Sequence, residues 1–96
     1  MSQPKASNSA VTLFIRFEVE DVREFLEVHQ EAISEQRKYG VTEDLYQSID
    51  DRSMMTIVLR GSESSVREWM EGSQRARLAG RLRLKSEAES WYATEM

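Results

Sequence analysis

The sequence predicts an α+β protein. Two halves of the form β-α-β build one antiparallel sheet, with the helices packed on one of its faces. Three observations predict it. Val11, Leu13, Ile15, Phe17 and Val19 fall on every second position, the period of a strand. Glu20-Asp21-Val22-Arg23-Glu24-Phe25-Leu26 follows at once and opens an amphipathic helix. The same strand-then-helix passage starts again at Met54.

The first strand runs from Val11 to Val19. Asp21 is placed to cap the helix behind it, and Glu24, three residues on, completes a capping-box-like pair. Val22, Phe25, Leu26, His29, Ala32 and Ile33 recur at spacings of three and four and mark the buried stripe. Arg23, Glu24, Glu27, Glu31, Glu35 and Lys38 mark the side in water. Gly40 stops the helix. Val41 to Ile49 reads as a second strand, with Leu45 and Ile49 on one face and Tyr46 on the other. The polar turn Asp50-Asp51-Arg52-Ser53 joins it in a hairpin to a third strand, Met54 to Leu59, which Gly61 ends. Ser62 or Ser65 caps the second helix, whose inward stripe is Val66, Trp69 and Met70. Gly72 breaks or bends that helix, and Ser73 to Ala79 forms a further short helical piece. Arg81-Leu82-Arg83-Leu84-Lys85, after Gly80, has no periodicity that assigns it. The last strand lies within Ala88 to Glu95.

A chain of 96 residues makes one domain. The polar residues 1–9 read as a disordered tail and residues 10–96 as the single folded unit. No cysteine is present, which excludes disulfides, thiolate catalysis and cysteine-ligated metal. One histidine, His29, is too few for an ordinary zinc site, so neither metal nor cofactor is expected. No apolar run approaches the ~20 residues that span a bilayer. The first residues lack the apolar stretch of a secretory signal, so a cytoplasmic protein without membrane contact is expected. The net charge of -4 is uneven. Arg75, Arg77, Arg81, Arg83 and Lys85 come without an acid between them and read as a solvated basic rim, or one that meets an acidic partner. A basic stripe on an acidic chain is weak support for nucleic-acid binding.

The alternation also bears on assembly. If Leu13, Ile15, Phe17, Met55, Ile57 and Leu59 pack under the helices, the opposite face carries Thr12, Phe14, Arg16, Tyr46, Met54, Thr56 and Val58. That second face is too apolar to stand in water, and no element remains to cover it. A second copy, sheet against sheet, is the economical cover, so a homodimer is expected.

The Val19-Glu20-Asp21 step from strand to helix, Tyr39-Gly40-Val41 entering strand two, the acidic hairpin at Asp50-Asp51 and the helix opening over Ser62 to Met70 together resemble the dimeric α+β barrel proteins. Their protomers are ferredoxin-like, and the resemblance covers roughly Val11 to Thr94. It implies two apposed sheets and a small pocket between sheet and helices. The group includes cofactor-free antibiotic-type monooxygenases, haem-degrading enzymes, small isomerases and uncharacterised proteins, so fold alone is a poor guide to chemistry. Haem-degrading members place a histidine ligand on or near the second helix. Here the only histidine lies in the first, which argues against haem. No catalytic residue carries across.

Each candidate site residue has a plain structural reading beside a functional one. His29 lies on the apolar stripe, as a half-buried structural imidazole or as a polar partner or base at a pocket floor. Trp69, at helical spacing from Val66, is core or a stacking platform. Trp91 and Tyr92 alternate, so one faces the helices and the other the second face. Arg16 and Glu18 point to the second face and should pair with each other, with a partner chain or with water. Arg16 is also able to hold a ligand carboxylate in a dimer cavity. Strand three lacks the aromatic pair of an RNA-binding sheet. The expected function is binding of a small apolar or aromatic molecule between sheet and helices, near Phe14, His29, Trp69 and Trp91. The alternatives are a cofactor-independent monooxygenase of the antibiotic-biosynthesis type and a purely structural or interaction protein. A defined cavity with convergent polar groups favours the first two; one filled by Met54, Phe14 and Tyr46 favours the third.

Overall fold

The computed structural model describes residues 9–96. Most of the expected N-terminal tail therefore lies outside the described residues. The elements follow in the order β1 (Ala10–Glu18), α1 (Val22–Arg37), β2 (Thr42–Gln47), β3 (Met54–Ser62), α2 (Glu63–Glu71), α3 (Ser73–Ala79) and β4 (Glu89–Ala93). They form one four-stranded sheet in the order β2-β3-β1-β4, antiparallel at every pairing. This is the ferredoxin-like α+β arrangement, with α2 broken at Gly72 to give the short α3.

The helix-covered face carries the core. Leu13, Phe17, Met55 and Leu59 are buried from the sheet side, and Phe25, Val28, Val66, Trp69 and Leu78 from the helices. Asp21 accepts from Glu24 N and caps α1, and Ser62 accepts from Ser65 N and caps α2. Leu26 departs from the expected stripe and is exposed, while Val28 is buried. At 3.6 residues per turn, positions 25, 28, 29 and 36 share the inward line and 26 falls on its margin.

Two turns also differ from expectation. β2 ends at Gln47 and leaves Ile49 in water, because Ser48 Oγ accepts from the backbone N–H groups of Asp50 and Asp51 and turns the chain early. β3 continues through Gly61 instead of ending there. A side chain at Gly61 would come within 3.2 Å of the Gly40 carbonyl, so the glycine lets the α1–β2 turn lie close against β3. Gly40 itself has φ 79°. Its N–H donates to Arg37 O, and Val41 N donates to Gln36 O, the paired bonds of a Schellman turn.

The unassigned stretch after Gly80 is a strap over α1. Leu84 bridges to Val19, Glu20 N donates to Arg83 O and Lys85 N to Glu18 O. Its charges are answered inside the chain: Arg81 pairs with Glu31, Arg83 with Glu24 and Lys85 with Glu18.

Candidate functional site

Between the helices and the sheet lies a cavity of about 120 Å³. Ile15, Phe17, Ile57, Trp69 and Leu78 give it an apolar wall, and His29, Gln36, Glu43 and Arg75 contribute polar groups. His29 and Gln36 sit seven residues apart on α1, two turns along one face. Glu43 reaches them from β2, where it pairs with Leu59 and shares the helix-facing side with Leu45.

These three side chains form one buried cluster. Gln36 Nε2 donates to Glu43 Oε1 at 2.8 Å. Glu43 Oε2 lies 2.5 Å from His29 Nε2, with both side chains almost fully out of water. No other group among the described residues satisfies that oxygen. Burying a carboxylate is costly unless it is partnered, so the imidazole and the amide are what allow Glu43 to stand there. Phe25 stacks on the ring of His29, with centroids 5.1 Å apart. The carboxylate against Nε2 and the stacked Phe25 ring together fix the orientation of the imidazole. A ligand hydrogen-bond partner and a general base both need that fixed orientation. Trp69 is held on the opposite helix by an edge contact with Tyr39, centroids 5.5 Å apart.

Of the residues expected at this pocket, His29 and Trp69 line it and Phe14 and Trp91 do not; Arg16, expected on the second face, does not line it either. The three lie on the helix-free face of the sheet. Phe14 and Arg16 are out of phase with Ile15 and Phe17, and Trp91 pairs directly with Phe14. The Phe14 and Trp91 rings stack at 5.4 Å. Tyr92 takes the helix side, with the Arg67 guanidinium 4.2 Å above its ring. Arg16 borders an open hollow with Glu18, Met54 and Glu89. It does not pair with Glu18, which instead accepts from Ser53 Oγ at 2.9 Å and faces Lys85. Met54, Phe14 and Tyr46 do not fill the cavity.

Glu43, Gln36 and Arg75 were not anticipated. For Glu43 a signal existed: if Leu45 points to the helices, the two-residue period puts Glu43 there too. Burial pulls the Arg75 guanidinium below its ordinary value, and the Tyr92 phenol acts in the opposite sense. Among the described residues no group of three or more metal-ligating side chains converges, and no helix is long and apolar enough to cross a membrane.

No family model matches the chain, and no curated protein does. Solved structures do. A conserved protein from Methanosarcina mazei Go1 is 20% identical with a TM-score of 0.82, over 95% of this chain and 97% of that one. SnoaB from Streptomyces nogalater, a cofactor-independent oxygenase, is 20% identical with a TM-score of 0.79, over 91% and 93%. An antibiotic biosynthesis monooxygenase is 8% identical with a TM-score of 0.76, over 90% and 98%. At these identities the likeness is one of fold: a ferredoxin-like α+β chain, as the resemblance in the sequence implied.

Proposed function

We propose that this protein binds a small apolar or aromatic molecule in the cavity between helices and sheet, and that it works as a homodimer joined through its helix-free faces. The observation that carries the binding is the cavity itself, apolar in most of its wall and with His29, Gln36 and Glu43 gathered at one place in it. At about 120 Å³ it is close in size to the ~150 Å³ apolar cavity that accepts a benzene ring. The dimer is supported by the stacked Phe14 and Trp91 rings on the face that has no helix, where Trp91 is about half exposed while Val58 beside them is already buried.

A second reading, a cofactor-independent oxygenase, is favoured by the pairing of His29 with Glu43 at the cavity wall, together with a fold shared with SnoaB. A histidine held in this way is suited to take a proton from an acidic aromatic substrate.

Toluene tests the binding. Added to the full-length protein, it is expected to shift the indole N–H resonance of Trp69 saturably. An unmoved Trp69 resonance across the soluble range of toluene would show that the cavity takes no such ring. Native mass spectrometry of the freshly purified protein tests the assembly, and a dimer with retained extra mass would also hand over the natural ligand.

A further inference from the structure

Five basic residues stand between Arg75 and Lys85, and four of them have an acceptor within the chain. Arg77 donates to Gln74, Arg81 and Arg83 to carboxylates of α1, and Lys85 lies against Glu18. Arg75 differs. It is half-buried, it lines the cavity, and among the described residues it has no ion-pair or hydrogen-bond partner. The wall also holds Trp69, Met70, Leu78, Ala79 and Leu82, whose side chains offer no acceptor. The Tyr92 phenol lies near enough to act on Arg75 but makes no hydrogen bond with it. The one carboxylate lining the cavity, Glu43, is already engaged by Gln36 and His29.

A guanidinium drawn partly out of water without an acceptor is unfavourable. Its planar fork of N–H donors matches a carboxylate, which it binds through two parallel hydrogen bonds. From this geometry we infer that the cavity takes a single-ring carboxylic acid, the ring against Trp69 and Leu78 and the carboxylate on Arg75. The inference deepens the binding function proposed above and rests on it. It narrows the ligand class from apolar molecules to monoanionic aromatic or alicyclic acids, and it gives the one unpaired guanidinium of this basic stretch a task.

Benzoate and toluene, which differ in the carboxylate, separate the two claims. Both are titrated against the full-length protein and against Arg75→Gln, with the Trp69 indole resonance as readout. The wild-type protein is expected to bind benzoate more tightly than toluene. Arg75→Gln should weaken benzoate about tenfold or more while leaving toluene within about twofold, since only the charge-assisted bonds are lost. Arg75→Lys keeps the charge without the fork and should weaken benzoate severalfold; it carries the test if Arg75→Gln does not fold. Toluene binding with benzoate no tighter, or benzoate affinity unchanged in the variants, overturns the role of Arg75 and leaves the cavity as a binding site. Failure of both probes to move Trp69 overturns the binding site and the role of Arg75 with it.

Discussion

His29 and Glu43 show how a pair of side chains can be half legible. The place of His29 on the inward stripe of α1 follows from spacing alone, but its partner comes from another element, and the meeting depends on how β2 registers on β3. A carboxylate in a weakly patterned strand carries no local mark of burial. The physical consequence is testable. His29→Ala removes one of the two partners of the buried Glu43 carboxyl and leaves its Oε2 unsatisfied, a loss that costs about 1–3 kcal/mol for a buried polar group. Urea unfolding should show a loss of that order for His29→Ala. Replacing both residues, as His29→Leu with Glu43→Leu, should cost clearly less than the sum of the single changes, because the unsatisfied buried oxygen then disappears. Additive losses would mean that the two side chains do not interact.

At the scale of elements, most of the architecture was readable because it rests on local chemistry. The Asp21 and Ser62 caps and the break at Gly72 each follow from residues within a turn of one another. The strap after Gly80 was not readable, since its backbone bonds run to the far end of β1 and its charges to α1. Gly40 is where a local rule can be priced: with φ 79°, Gly40→Ala should cost about 1–2 kcal/mol, read as a lower urea midpoint at unchanged slope. The strap predicts a pH dependence. The hydrogen bond from Arg81 holds the Glu31 carboxyl below its usual 4.5; desolvation opposes this, and the charges of Arg81 and Arg77 add to it. In the unfolded chain the group returns to its usual value, so below that value the unfolded state binds more protons. The contribution is therefore whole above about pH 4.5 and is lost as pH falls through the depressed folded value. Glu31→Gln should be less stable than wild type near neutrality, and the gap between their urea midpoints should close on acidification. A gap independent of pH would show that the Arg81 pair contributes nothing through titration.

The molecule as a whole presents two faces of one sheet that differ in what covers them. The helix-covered face is spent on the core and the cavity. The other has an apolar centre in Phe14, Val58 and Trp91, with the Arg60–Asp44 pair and Arg16 around it. An apolar centre inside a polar rim is the composition of a protein interface. Trp91 is about half exposed in the single chain and Tyr46 more so, so ring surface remains for a partner to cover. The protein should therefore sediment as a dimer of 11.2 kDa chains. Trp91→Glu should convert it to monomer, because a charge placed at the apolar centre would be buried without a counter-charge. Since β4 is an exposed edge strand, the change need not unfold the protomer. The cavity lies on the helix-covered side of the sheet, opposite the face that carries Phe14 and Trp91. The monomeric variant should then bind toluene within about twofold of the wild type, read at Trp69, because the contacts that set its affinity are unchanged. Loss of toluene binding on dissociation would mean that the partner sheet shapes the cavity from behind, and that assembly and binding are one equilibrium instead of two.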